Sequence, residues 1–167
     1  MVEGIRVAEQ RDLEALEAVE NKADQLFIEL FQPPLWGAAQ SGAERAAEPG
    51  FVLVADDSSG TIVGFVHVLE VDGIAHLEQL SVVPEHGRRG YGRTLVEAAK
   101  AEGRRRGHDR MTLRTYANVA WNAPFYRRAG FTEEEPATPF HRRLVEVEHE
   151  LGLDQYGQRI QMVASLQ

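Results

Sequence analysis

The sequence predicts one α+β domain, and three observations carry that prediction. A length of 167 residues with 43% apolar composition suits one core, and that is enough chain to fold without disulfides or metal clips. A three-stranded meander between Phe51 and Val83 is followed by helical and strand-like segments in turn. No internal repeat, linker or low-complexity tract divides the chain, so these segments should share one core.

Ile5-Arg6-Val7 alternates as a short strand. Asp12 offers an N-cap to a helix whose apolar positions Leu16, Val19, Ala23, Leu26, Phe27 and Leu30 follow helical spacing, and Pro33-Pro34 stops it. The Ala-rich stretch from Leu35 to Pro49 reads as a short second helix and a loop. Phe51 to Ala55 is a buried strand, Asp56 to Gly60 a turn and Thr61 to Val71 a second strand. Asp72-Gly73 is the strongest hairpin signal in the chain, and Ile74 to Val83 completes the meander before Pro84 ends it. Gly90 to Arg106 reads as a helix closed by Gly107, with Tyr91, Leu95, Ala98 and Ala99 facing inward. Met111 to Thr115 is a strand, Asn122 to Ala129 a short helix ended by Gly130, and Phe131 begins another strand. Thr138-Pro139 opens a helix that runs to about Leu151, and Arg159 to Leu166 is the last strand.

Composition removes several classes of function. With no cysteine there is no thiol nucleophile, disulfide framework or Cys-ligated zinc. The histidines His67, His76, His86, His108, His141 and His149 show no metal-ligand spacing, so no metal site is expected. The chain begins without a basic, apolar leader and has no run of 18 apolar residues, from which a cytoplasmic protein free of the membrane is expected. A net charge of −8 argues against nucleic acid as a partner. That total conceals an asymmetry: residues 1–75 carry 4 Lys/Arg against 14 Asp/Glu, whereas residues 84–110 carry 8 against 4. Arg104-Arg105-Arg106 within that stretch reads as a solvated helix end, and Glu133-Glu134-Glu135 as exposed strand and turn.

The basic stretch holds the chemistry. In Leu80-Ser81-Val82-Val83-Pro84-Glu85-His86-Gly87-Arg88-Arg89-Gly90-Tyr91-Gly92-Arg93, a strand passes through a glycine-rich turn into a helix. Such a turn aims backbone N–H groups at a phosphate, and the helix N-terminus adds partial positive charge. The spacing Gly87-x-x-Gly90-x-Gly92 is neither the G-x-G-x-x-G dinucleotide order nor a phosphate loop ending in Lys-Ser/Thr. About 35 residues after that turn, Thr115-Tyr116-Ala117-Asn118-Val119-Ala120-Trp121-Asn122-Ala123-Pro124-Phe125-Tyr126-Arg127-Arg128-Ala129-Gly130-Phe131 sets a tyrosine on a short helix closed by Gly-Phe.

With both segments in this order, the chain resembles the GNAT superfamily of acyl-CoA-dependent N-acetyltransferases, most clearly over Phe51 to Phe131. The resemblance implies a three-layer α/β/α domain. Its central sheet of six or seven mixed, mostly antiparallel strands is splayed between the fourth, Ile74 to Val83, and the fifth, Met111 to Thr115. It also implies acetyl-CoA as co-substrate, with backbone near Leu80 and Val82 on the pantetheine arm. The turn of Gly87, Arg88, Arg89, Gly90, Tyr91, Gly92, Arg93 and Thr94 would hold the pyrophosphate. Gly87 stands where the family has Gln or Arg, and Arg88 or Arg89 is placed to compensate. Val119 stands where an asparagine is common. Either Asn118 or Asn122 contacts the pantetheine arm, or Asn122 only caps its helix.

Transfer to an amine requires loss of a proton, since an alkylammonium of pKa about 10.4 is neutral only about one part in 2,500 at pH 7. Strand alternation puts His76, Glu78, Leu80 and Val82 on one face, and the resemblance draws the base from His76 or Glu78. Tyr126 matches the tyrosine that protonates the departing thiolate. A catalytically silent acyl-CoA-binding or regulatory module is the alternative, and a homodimer is compatible with the resemblance. On the acceptor side, Glu17, Glu20, Asp24 and Glu29 lie among Phe27, Phe31, Leu35 and Trp36, which predicts a cationic amine with an apolar body.

Overall fold

The computed structural model describes residues 4–34, 36–37 and 39–167, so Leu35, expected on the acceptor wall, lies outside the described residues. The chain runs β1 (Ile5–Val7), α1 (Leu13–Phe31), α2 (Gly42–Ala47), β2 (Gly50–Asp56), β3 (Ile62–Val71), β4 (Ile74–Val82), α3 (Tyr91–Arg105) and β5 (Arg110–Tyr116). It continues through α4 (Ala123–Arg128), β6 (Thr132–Glu134), α5 (Pro139–Glu150) and β7 (Arg159–Ser165). All seven strands form one sheet in the order β1-β2-β3-β4-β5-β7-β6, and every neighbouring pair is antiparallel except β4 with β5.

Local chemistry sets most of these boundaries. Asp72 and Gly73 both take positive φ, 53° and 77°, which is the two-residue turn whose twist matches the flanking strands β3 and β4. Thr138 accepts from the His141 N–H at 3.1 Å and Pro139 fills the first helical position, so α5 starts as expected. Asp12 differs. It is buried and grips Arg6 through two bonds of 2.7 and 3.0 Å while accepting from the Glu9 N–H, so it pins β1 to the turn before α1 rather than capping α1.

Two layers of helix cover the sheet. Opposed residues on paired strands share a face, and successive residues alternate. A Cβ at Gly64 would meet Leu95 of α3 at 3.1 Å, whereas His67 bonds Arg45 of α2, which in turn grips Glu20 of α1. Since 64 and 67 face opposite ways, α3 lies on one side and α1 with α2 on the other. Helix α5 joins the α1 side, because its His141 bonds Thr112, the register partner of His76. Leu53, Val54, Phe65, Val66, Leu95 and Met111 are fully buried at the centre.

Two irregularities interrupt the sheet at β4. Strands β4 and β5 pair only as Ala75 with Met111, His76 with Thr112 and Leu77 with Leu113. Beyond that point β4 continues to Val82 and β5 to Tyr116 with no pairing between them, so the sheet opens. On its other edge β4 carries a bulge, for Val68 pairs with Leu77 while His67 pairs with Gln79, leaving Glu78 as an extra residue. The expectation that His76, Glu78, Leu80 and Val82 share one face is therefore corrected. His76 opposes Leu69, but Leu80 and Val82 oppose Val66 and Gly64 on the opposite face.

Candidate active site

The opening between β4 and β5 leads into a cleft of about 700 Å³. Its floor is Gln79 to Val82 of β4. One wall is the turn into α3, through Gly87, Arg88, Gly90, Tyr91, Gly92 and Arg93, and the other is α1, through Ala23, Asp24, Leu26 and Phe27. Ala120, Trp121, Phe125 and Arg128, after β5, close the third side.

The backbone of β4 is available to a ligand. Val83 N–H bonds back to the Val63 carbonyl at 2.9 Å, so by alternation the backbone of Ser81 also faces β3 while that of Leu80 and Val82 faces the gap. At the turn, Gly90 takes φ 84°, a left-handed conformation that suits glycine, and it starts α3 without a side chain over the helix N-terminus. The first N–H groups of α3, at Tyr91, Gly92 and Arg93, have no intrahelical acceptor. No acidic residue occupies the first turn, so the partial positive charge there is uncompensated. A Cβ at Gly92 would stand 3.5 Å from the Phe125 ring, so a larger side chain would project into the crowded wall between α3 and α4.

Of the predicted cofactor contacts, Leu80, Val82, Gly87, Arg88, Gly90, Tyr91, Gly92 and Arg93 line the cleft, whereas Arg89, Thr94, Asn118 and Asn122 do not. The Thr94 hydroxyl donates to the Gly90 carbonyl at 2.8 Å and fastens the turn. Asn118 is exposed on the loop after β5. Asn122 is buried, and its Oδ1 accepts from the Tyr116 N–H at 3.2 Å, so its side chain ties the end of β5 to α4 rather than capping the helix. Gln79, Ser81, His86, Trp121 and Arg128 line the cleft beyond the residues that the motifs predict. Trp121 and Arg128 stand inside the second motif, whereas Gln79 is turned by a bulge that leaves no mark in the sequence.

The three predicted catalytic side chains occupy different surroundings. His76 is buried, its Nδ1 paired with the Thr112 hydroxyl at 2.8 Å and its ring edge-on to Phe140. Thr112 in turn contacts His141 Nε2 at 2.9 Å, and His141 Nδ1 contacts the Thr138 hydroxyl at 2.8 Å. Burial, with the charges of His141 and Arg114, pushes His76 down to about 3, so it is a neutral ring inside a closed polar chain. Glu78 sits on the bulge with its carboxylate open to solvent. Protein nevertheless surrounds it on most sides, and that desolvation, opposed by Arg45 and helped by Glu48, Glu20 and Glu148, pushes it up to about 7. Tyr126 is buried on α4 against Phe125 and Phe131, and burial raises its phenol well above the ordinary value. Neither Glu78 nor Tyr126 is among the cleft-lining residues.

The acids predicted on the acceptor side separate. Glu17 and Glu29 are exposed and Glu20 is spent on Arg45, which leaves Asp24 in the cleft wall, accepting from the Trp36 indole N–H at 3.1 Å. Phe27 lies beside it, with ring centroids 5.9 Å from Trp36, 5.4 Å from Trp121 and 6.0 Å from Tyr116. Elsewhere the Arg104–Arg106 run is partly paired, Arg105 with Glu102 and Arg106 with Glu70. No helix among the described residues is long and apolar enough to cross a membrane.

Comparison with known proteins places this architecture. Residues 7–131 match the Acetyltransferase (GNAT) family. Mycothiol acetyltransferase of Clavibacter sepedonicus is 35% identical over 101 residues, 60% of this chain and 33% of the relative. Mycothiol acetyltransferase of Stackebrandtia nassauensis is 40% identical over 88 residues, 51% of this chain and 28% of the relative. The chain thus spans about a third of the length of these curated relatives. The crystal structure of the ribosomal-protein-S18-alanine N-acetyltransferase from Escherichia coli superposes with a TM-score of 0.68 at 21% identity, covering 97% of this chain and 92% of that one. The PaiA N-acetyltransferase from Thermoplasma acidophilum, in complex with coenzyme A, also gives 0.68, at 17% identity and 96% and 97% coverage.

Proposed function

Because this chain belongs to the acetyltransferase (GNAT) family, we propose that it moves an acetyl group from acetyl-CoA to a primary amine by direct attack in a ternary complex. The amine belongs to a small molecule or to a peptide or protein N-terminus. The observation that carries this reading is the open edge of β4 beside the start of α3. Gap-facing backbone at Leu80 and Val82 suits an amide-bearing arm and a thioester carbonyl, while Arg88 and the free N–H groups of α3 suit a pyrophosphate, with Arg93 beside them bonded to Glu97 and the Arg128 carbonyl.

The thioester supplies an activated acetyl carbon, and this chain's residues manage position and protons. The amine nitrogen forms the new C–N bond as the C–S bond breaks. Glu78 accepts the proton that the ammonium must lose, directly or through one water, and a carboxyl held near 7 is half ionised at neutral pH. Tyr126 supplies the proton to sulfur. Its buried phenol stays protonated across the neutral range, and the tyrosinate left by donation to sulfur recovers a proton from the nitrogen, which sheds its second N–H proton as the amide forms. His76 is closed off in its polar chain, so the role of base goes to Glu78.

The test is to incubate the protein with acetyl-CoA and a library of primary amines and to follow thiol release. Turnover with at least one amine class is expected. Binding of acetyl-CoA without thiol release across the library would replace the enzyme with a silent acyl-CoA-binding module.

A further inference from the structure

The cleft is electrically two-ended. Arg88, Arg93 and Arg128 stand on the side of α3 and α4, and among the cleft-lining residues Asp24 is the single carboxylate, on the α1 side. Asp24 is half-buried, and its hydrogen bond comes from a neutral donor, the Trp36 indole. Among the described residues no cation lies within ion-pairing distance of it, and Arg45, buried behind α1 and paired with Glu20 and His67, acts on it only through space. A carboxylate in that position bears a desolvation penalty that a bound cation relieves. The aromatic rings of Phe27 and Trp121, 5.4 Å apart and both lining the cleft, give it an apolar wall for the body of such a ligand.

The geometry points to Asp24 as the residue that selects the acceptor, binding a cationic group on an aromatic or otherwise apolar amine. This inference rests on the acetyl-transfer reading for the identity of the ligand as acceptor, but binding of the cation is measurable without turnover. The protein's two tryptophans, Trp36 and Trp121, both border Asp24 or the cleft, so intrinsic fluorescence reports on this site.

Three probes of similar shape decide the matter: benzylamine, benzyl alcohol and phenylacetate. Saturable fluorescence change is expected with benzylamine, weaker with benzyl alcohol and weakest with phenylacetate, the preference falling as salt rises. Asp24→Asn keeps the side-chain shape and an acceptor for the indole. It should weaken benzylamine at least tenfold while leaving benzyl alcohol and acetyl-CoA unchanged, and Asp24→Glu should recover part of the loss. Equal affinity for the three probes, no saturable change with any of them, or an Asp24→Asn protein that binds benzylamine like the parent would overturn the assignment. If Asp24→Asn fails to fold by circular dichroism, the salt dependence and the ranking of the probes on the parent protein decide alone. Thiol release across the amine library, measured in parallel, separates the two readings: cation binding with no release from any amine keeps this site and removes the transferase, and release indifferent to acceptor charge does the reverse.

Discussion

Glu78 is raised toward neutrality, with separate consequences for activity and for stability. As a base it works only when ionised, so kcat/KM should climb as pH rises through about 7, and Glu78→Gln should abolish that limb of the profile. A wild-type profile in Glu78→Gln would assign the base elsewhere. For stability the sign is opposite to that of a salt-bridged carboxylate. Between the unfolded value near 4.3 and the folded value of about 7, the folded protein holds the extra proton, so this group weakens the fold as pH rises. Glu78→Gln should therefore have a higher Tm than the parent at pH 8 and nearly the same Tm at pH 4.5. Tyr126→Phe tests the other proton. It should lower kcat by about 10² or more with acetyl-CoA affinity nearly intact, because in the proposed mechanism the hydroxyl acts when sulfur leaves. Unchanged kcat would remove the acid role. Glu78 and Tyr126 are both legible as candidates from residue type and motif. The separation of Glu78 from His76 is not, because one extra residue in β4 reverses the alternation and no residue type announces it.

At the level of elements, the turn into α3 and the short helix α2 are each governed by a glycine. Gly92→Asp would add a negative charge to the uncompensated N-terminus of α3 and push a side chain toward Phe125. Acetyl-CoA affinity should fall at least tenfold, about 1.4 kcal/mol, by calorimetry, and an unchanged affinity in a folded variant would put the site elsewhere. Gly42 opens α2 where the helix meets α1, and a Cβ there would collide with the Leu13 carbonyl. Backbone cannot step aside as a flexible side chain can, so Gly42→Ala should cost about 1–3 kcal/mol in thermal or denaturant unfolding. The α3 turn is marked in the sequence because three glycines and three arginines within seven residues are unusual. Gly42 carries no such signal, lying in an Ala-rich stretch whose closeness to Leu13 is a product of the fold.

Across the whole molecule, the histidines buried between layers set the acid limit of stability. His67, pushed down to about 4 by burial and by Arg45, and His76, down to about 3, both stay neutral in the folded protein. Below pH 6.5 the unfolded chain protonates these rings and the folded protein does not, so stability falls with pH at up to about 1.4 kcal/mol per ring per unit. Glu20, Asp24 and Glu78, raised by burial, act in the opposite direction, whereas the buried His141 and the ion-paired Asp12, Glu70, Glu102 and Glu148 act with His67 and His76. The expected net result is a Tm that drops steadily from pH 6.5 to 4.5, followed by differential scanning calorimetry, and His67→Gln should flatten the slope. A Tm that rises over that interval would mean that the rings are not held neutral. By itself the sequence determined the order and type of the elements, the hairpin at Asp72-Gly73, the basic glycine turn and the family, because periodicity, turn chemistry and motif spacing are local and survive in one dimension. Only the tertiary structure decided which of these residues meet: the opening of the sheet after Leu77, the bulge at Glu78, the closure of His76 against Thr112 and His141, and the position of Asp24, alone of four acids, in the cleft wall. Those outcomes depend on register and on which neighbour has already taken a charge, and both are settled between segments far apart in the chain.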